Sequence, residues 1–166
     1  FLGLRTPDDR RSPLDACWRR ILDPDPAIHG PAAWAWHDTE RILSTHAPQQ
    51  TRLDRAAPAS SRPLPSTPFL EAHYFRNDCF LTPGQLLAGA ARLRGIPGII
   101  VQGRYDLLCP PATAHALAAA WPAAEVRIVE GAGHSLYDPG VRDAVTKATA
   151  DLVTAIRSHD APTEGR

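Results

Sequence analysis

The sequence has no excess charge of either sign, no apolar run of membrane length and no paired cysteines. Eighteen basic and eighteen acidic residues give a formal net charge of zero, so we expect no partner that is gathered by charge, neither nucleic acid nor membrane. No apolar stretch approaches the ~20 residues that cross a bilayer. Cys17, Cys79 and Cys109 stand far apart, which predicts reduced thiols and a cytoplasmic protein. The histidines show no HExxH or paired spacing, so no metal or other cofactor is expected.

The first half of the chain shows helical patterns interrupted by proline. A length of 166 residues predicts a single core. "SPLDACWRRIL" predicts a helix capped by Ser12, with Leu14, Cys17, Trp18, Ile21 and Leu22 inward, and "GPAAWAWHDTERIL" predicts a second helix with Pro31 in its first turn. Four prolines between residues 51 and 68 predict a loop. "TPGQLLAGAARLRG" predicts a short helix capped by Thr82, with Leu86, Leu87, Ala90 and Leu93 inward.

After Gly95 the pattern becomes strand, helix, strand, helix. "IPGIIVQGRYD" and "EVRIV" are short apolar runs typical of buried parallel strands, and "PATAHALAAAWP" lies between them. A closing helix follows, with an inward stripe of Val141, Val145, Ala148, Leu152 and Ile156. These elements predict an α/β fold with a parallel βαβα unit.

Asp106 and His134 each follow one of the two strands. Parallel strands end at the same edge of a sheet, so neighbouring strands bring these two side chains together. Gly131 and Gly133 let the chain turn sharply and aim His134 over this edge. An Asp that orients a His general base forms two members of a serine-hydrolase triad, in the chain order of the α/β-hydrolases.

Two simpler interpretations remain open for these residues. An Asp after a strand is often only a helix cap, and a His after a glycine turn is often only a surface residue. No serine in the sequence stands in a GxSxG pattern, the usual nucleophile motif of such enzymes. Cys109 in "DLLCPP" fits a small packing residue better than a nucleophile.

Several of these stretches together resemble one family. "IPGIIVQGRYDLLCPP", "AWPAAEVRIVEGAGHS" and "LEAHYFRNDCF" are similar to the carboxyl-terminal half of the proline iminopeptidases, and "LDACWRRILDPDP" and "AAWAWHDTE" resemble their helical cap. The resemblance implies the carboxyl-terminal portion of an α/β-hydrolase preceded by part of a helical cap. Its expected divisions are cap at 1–50, Pro-rich loop at 51–68, end of cap at 69–94, core at 95–158 and a disordered tail at 159–166.

The resemblance also implies roles for individual residues. Asp106 and His134 become the triad acid and base. Glu40 and Glu71 bind the free N-terminal amine of the substrate, and Trp36, Tyr74 and Phe75 wall a pocket for a proline ring. The implied reaction is release of N-terminal proline from small peptides through an acyl-enzyme, without a cofactor.

The sequence departs from the family pattern in three respects. Thr39 replaces a tryptophan of the cap motif, Ala72 replaces an asparagine, and the half with the serine motif is absent. The alternatives are another cap-bearing α/β-hydrolase, such as an esterase or epoxide hydrolase, or a truncated remnant that only binds a partner. The sequence indicates no oligomeric state.

Overall fold

The chain forms two compact units, so the prediction of a single core from its length was wrong. The computed structural model describes residue 9, residues 11–47 and residues 63–159. We call the part built from 9, 11–42 and 63–83 the helical unit, and the part built from 43–47 and 84–159 the sheet unit. Most of the predicted Pro-rich loop, and the predicted tail from residue 160, lie outside the described residues.

The helical unit contains three α-helices: α1 (Pro13–Ile21), α2 (Pro26–Leu43, whose last residue belongs to the sheet unit) and α3 (Thr67–Arg76). The hydroxyl of Ser12 bonds to the side chain of Asp15 and not to a backbone N–H, so the predicted side-chain cap is not formed. Helix α2 begins at Pro26 and continues through Pro31, and the prediction of a start near Pro31 was wrong. Helix α3 begins at Thr67, inside the last two residues of the predicted loop.

Helices α1, α2 and α3 bury one shared cluster of side chains. Trp18 and Ile21 of α1 pack with Ala32 of α2 and Ala72 of α3, and Cys17, Leu22, Trp36 and Phe69 complete the cluster. Ala72, which stands where the family pattern has asparagine, is fully buried. Leu14 is exposed, contrary to the prediction, because the buried face of α1 is formed by Ala16, Cys17, Trp18 and Ile21.

A tight turn follows α3. Asp78–Phe80 forms a single 3-10 turn whose three residues all have positive φ, between 49° and 58°.

The sheet unit contains the predicted parallel pair of strands. β1 (Gly98–Gly103) pairs with β2 (Ala124–Val129) in parallel, with Gly98 opposite Ala124 and Gly103 opposite Val129. Helix α5 (Pro111–Ala120) connects them, and α6 (Val141–His159) follows β2; both helices pack against both strands. The two strands consequently end at one edge.

Two helices of the sheet unit differ from their predicted faces. Helix α4 (Gln85–Ala90) begins after Gly84, whose φ is +76°, so Thr82 is not its cap. A 3-10 turn (Ala91–Leu93) follows it. Leu86 and Leu87 are exposed, and Ala90 is the buried residue of α4.

Helix α6 buries Val141 and Ala148, but Val145 and Ile156 of its apolar stripe are exposed. None of the helices in the described part of the chain combines the length and the apolar character needed to cross a membrane.

Candidate active site

The carboxyl ends of β1 and β2 bring Asp106 and His134 into direct contact. Asp106 follows β1 by three residues, and His134 follows β2 after the glycine turn. Nδ1 of His134 lies 3.0 Å from Oδ2 of Asp106. The contact expected from parallel strand topology is therefore present.

The carboxylate of Asp106 is buried and held on both oxygens. Its Oδ1 accepts the backbone N–H of Leu108 at 3.0 Å and that of Cys109 at 2.8 Å. Its Oδ2 faces the ring of His134 and also accepts from Nε2 of Gln102 at 3.3 Å. Asp106 thus closes the turn after β1 with one oxygen and contacts the histidine with the other. It does not cap α5, whose N-cap is Pro110, so the simpler interpretation as a helix cap was wrong.

Gln102 is a site residue that sequence reasoning missed. It is buried near the end of β1, and its Nε2 also lies within 3.1 Å of the carbonyl oxygens of Gly103 and Cys109. A buried amide in an otherwise apolar strand was the available signal, because buried polar groups are almost always placed for a hydrogen bond. Gln102 therefore braces Asp106 against the turn that follows β1.

The glycines permit this approach in two different ways. Gly131 has φ of +70°, a left-handed conformation that favours glycine. At Gly103 the reason is space, because a Cβ there would lie 1.9 Å from the carbonyl oxygen of Gly133. The loop that bears His134 thus rests directly on the backbone at the end of β1.

The imidazole of His134 is accessible while its partner is not. The side chain of His134 is 45% exposed, against 6% for that of Asp106. With Nδ1 directed at the carboxylate, Nε2 is the ring nitrogen that can take a proton from another group. This arrangement can serve as a general base at the sheet edge.

Cys109 is exposed, so its assignment as a packing residue was wrong. Although the residue is exposed, neighbouring groups still remove part of the water around the sulfur. This partial desolvation, together with the charge of Asp106, raises the pKa of the Cys109 thiol. A thiol with a raised pKa has little thiolate at neutral pH and is a poor nucleophile. The structure therefore gives no support to a cysteine nucleophile at this position.

A second cluster, in the helical unit, joins Glu40 of α2 to Glu71 of α3. Nε1 of Trp36 donates to Oε2 of Glu71 at 2.7 Å. Partial burial raises the pKa of Glu40 to about 7, and the hydrogen bond to Glu71 and its charge act in the same direction, against a smaller opposite effect of Trp36. The two predicted amine-binding carboxyl groups thus form a pair with the predicted wall residue Trp36.

The remaining predicted wall residues do not form one surface. Trp18, which the sequence placed only in the core, stacks edge-on against Trp36 at 4.6 Å and lies 5.6 Å from the ring of Phe75. Tyr74 instead packs against Phe80, with ring centroids 5.6 Å apart. Trp36 and Phe75 therefore share Trp18 as a neighbour, and Tyr74 belongs to a different aromatic group.

Neither cluster is a metal site. Across residues 9, 11–47 and 63–159, no group of three His, Cys, Asp or Glu side chains could hold a metal ion.

Comparison with known proteins agrees with the fold. Residues 82–160 match the TAP-like protein family, which is an α/β-hydrolase family. The chain is 37% identical to a probable proline iminopeptidase of Leptolyngbya boryana over 153 residues, which cover 89% of this chain and 46% of that protein.

Two further relatives bear the same name. The proline iminopeptidase of Xylella fastidiosa strain Temecula1 is 37% identical over 92% of this chain and 49% of its own length. The proline iminopeptidase of Neisseria meningitidis serogroup B is 38% identical over 88% of this chain and 46% of its own length. The chain spans about half the length of the curated relatives it matches. The chain therefore has an α/β fold with a parallel βαβα unit, is similar over residues 82–160 to an α/β-hydrolase family, and is similar to the carboxyl-terminal part of the proline iminopeptidases.

Proposed function

We propose that this chain contributes the base, its carboxylate partner and the amine-binding groups of a serine aminopeptidase that releases N-terminal proline from small peptides. The observation that carries the proposal is the 3.0 Å contact between Nδ1 of His134 and the buried carboxylate of Asp106. The similarity to proteins named proline iminopeptidases supports the choice of substrate. Three cysteines with no disulfide between them favour a reducing compartment such as the cytoplasm.

In the proposed reaction His134 moves the proton. Nε2 takes the proton of a serine hydroxyl as its oxygen attacks the carbonyl carbon of proline, and then gives the proton to the departing amine. Water repeats the sequence on the acyl-enzyme and releases free proline. Asp106 fixes the Nδ1–H tautomer and stabilises the imidazolium that forms in each step. The serine is provided by a segment outside this sequence, since none here stands in a GxSxG pattern.

Glu40 and Glu71 recognise the substrate's positive charge in this proposal. At neutral pH Glu40 is partly protonated, because partial burial and the neighbouring Glu71 raise its pKa to about 7. A prolyl ammonium would replace the proton between them and form charge-assisted hydrogen bonds, each worth about 1.5 to 3 kcal/mol. A peptide with a blocked amine would leave the carboxyl groups without that charge, so we expect a preference for free N-termini.

The test joins this chain to the half of a relative that it lacks. A chimera places the amino-terminal half of the Xylella fastidiosa relative before this sequence, and hydrolysis of a prolyl arylamide is measured beside a simple ester and an N-acetylated prolyl arylamide. We expect turnover of the free prolyl substrate, with kcat reduced at least about a thousandfold in His134→Gln. His115→Gln, which changes an exposed histidine of α5, is the matched control and should stay close to wild type.

The outcomes separate the alternatives. Glu71→Gln should raise KM about tenfold to a hundredfold for the free prolyl substrate and leave ester hydrolysis unchanged. A chimera that reacts with a fluorophosphonate and hydrolyses esters, but not prolyl arylamides, would favour the esterase alternative. Full activity in His134→Gln would refute the assignment of the base.

A further inference from the structure

The backbone N–H groups of Gly133–Ser135 donate to a carboxylate of the same turn and to a carbonyl oxygen of a distant segment. The N–H of Gly133 donates to Oδ2 of Asp138 at 2.6 Å. The next two N–H groups, of His134 and Ser135, both donate to the carbonyl oxygen of Ser44, at 2.8 and 2.9 Å. Three successive N–H groups around the catalytic histidine therefore have fixed partners.

The carboxylate of Asp138 joins this loop to the segment that contains Ser44. Asp138 is only 8% exposed, and its Oδ2 accepts the N–H of His46 at 3.0 Å in addition to that of Gly133. Its own backbone N–H donates to the carbonyl oxygen of Ser135 at 3.0 Å, which closes the turn. One buried oxygen thus ties two segments that are 92 residues apart in the chain.

The absence of a side chain at Gly133 makes this arrangement possible. A Cβ on Gly133 would lie 2.9 Å from the carbonyl oxygen of Ser44, 3.0 Å from the nitrogen of His46 and 3.1 Å from Oδ2 of Asp138. Real Cβ atoms almost never approach other atoms so closely, so a side chain here would push the segments apart. The glycine allows Asp138 and Ser44 to reach the backbone directly.

We propose that Asp138 is a positioning residue for His134, which fixes the Gly133–Ser135 backbone so that the imidazole meets Asp106. The carboxylate of Asp138 accepts one backbone N–H of the loop, that of Gly133, whereas the carboxylate of Asp106 contacts the ring itself. The importance of Asp138 for catalysis rests on the proposed function. The effect of Asp138 on the position of His134 does not depend on that function.

The test uses the 166-residue chain and needs no turnover. In NMR spectra the Nδ1–H proton of His134, assigned by its loss in His134→Gln, reports the bond to Asp106. Asp138→Ala removes the acceptor of two N–H groups; we expect loss of this resonance and at least tenfold faster hydrogen exchange at Gly133. Asp138→Asn retains an oxygen that can accept both N–H groups, and it should keep the resonance.

A folded Asp138→Ala chain with the His134 resonance and exchange rates unchanged would overturn the proposal. If that variant does not fold, Gly133→Ala answers the same question, because it leaves the carboxylate in place and displaces the backbone from it. Loss of the resonance is expected there, and its retention would equally overturn the proposal.

Kinetics in the chimera distinguish positioning from general loss of structure. With active sites counted by fluorophosphonate titration, Asp138→Ala should lower kcat per titrated site about tenfold to a hundredfold. KM should stay within twofold, and Asp138→Asn should restore the rate. A purely structural role would lower the number of titrated sites and leave kcat per site unchanged, which would overturn the catalytic part. An inactive wild-type chimera beside the expected NMR result would refute the proposed function and not the positioning role.

Discussion

The paired carboxyl groups of Glu40 and Glu71 predict that stability falls as the pH rises toward neutrality. Partial burial and the neighbouring Glu71 raise the pKa of Glu40 from 4.5 to about 7 in the folded chain. In the unfolded chain this carboxyl group ionises near its ordinary value. Between these two pH values the folded state binds more protons than the unfolded state, so the free energy of unfolding decreases as the pH increases. The stabilisation is complete below the unfolded pKa and is lost as the pH passes the folded one.

The size of the effect follows from the same shift. A change in pKa from 4.5 to about 7 corresponds to roughly 3 kcal/mol at ~1.4 kcal/mol per pH unit. Because Glu40 is only partly buried, screening by water reduces the expected value to about 1 to 2 kcal/mol. Glu40→Gln keeps a neutral side chain of the same shape. The free energy of unfolding of this variant should therefore be about 1 to 2 kcal/mol higher than that of wild type at pH 8 and equal to it at pH 4.

Urea unfolding followed by tryptophan fluorescence at pH 4, 5.5 and 8 measures this difference. Glu130→Gln is the control, because Glu130 is exposed and its hydrogen bond to Arg104 lowers its pKa. That variant should show no gain at pH 8. An effect of Glu40→Gln that is equal at pH 4 and pH 8, or a loss of stability at pH 8, would refute the reasoning.

Three other predictions use the same chain and the chimera. Gly103→Ala places a Cβ 1.9 Å from a backbone oxygen of the histidine loop and should cost about 1 to 3 kcal/mol in urea unfolding. In Gly89→Ala of α4 the added Cβ meets nothing within 4 Å, so the free energy of unfolding should rise by about 0.5 to 1 kcal/mol. Equal changes in stability in the two glycine variants would contradict this prediction. Because the charge of Asp106 helps to raise the pKa of Cys109, Asp106→Asn should speed alkylation of that thiol at pH 8, measured by mass spectrometry; an unchanged rate is the contrary result. In the chimera, KM for prolyl arylamide should fall as the pH rises through 7, because Glu40 ionises there. In Glu40→Gln, KM should not change with pH over this range. A wild-type KM that is independent of pH would contradict the prediction.

The order and type of the elements after Gly95 could be predicted because buried parallel strands are short continuous apolar runs. β1 (GIIVQG) is largely such a run. β2 (AEVRIV) alternates charged with apolar residues and has no buried residue, so the expectation that the second strand is buried was wrong. Each strand is followed by a helix, as predicted. The buried faces of helices were less predictable. Leu86 and Leu87 are exposed although they belong to an apolar pattern, and Ala90 is buried. A pattern gives the apolar positions of a helix, but its neighbours in the fold decide which of them are covered.

The same distinction applies to the site. The contact of Asp106 with His134 follows from parallel topology, since both residues come after the ends of paired strands. The role of Asp138 could not be predicted, because its partners are backbone N–H groups, which every residue except proline has. The sequence around His46 contains no motif that identifies it as a partner of Asp138, 92 residues away.

The two carboxylate clusters differ in the hydrogen-bond donors around them, and this difference suits them to different tasks. Asp106 receives N–H donors on Oδ1 and an amide donor on Oδ2 without any ligand, so its orientation is fixed before a substrate arrives. Glu40 and Glu71 share the indole of Trp36 and repel each other when both ionise. Such a pair gains most from an incoming cation, because the cation removes the repulsion that partial burial strengthens. The first cluster is therefore suited to hold a base in place, and the second is suited to bind a positively charged group.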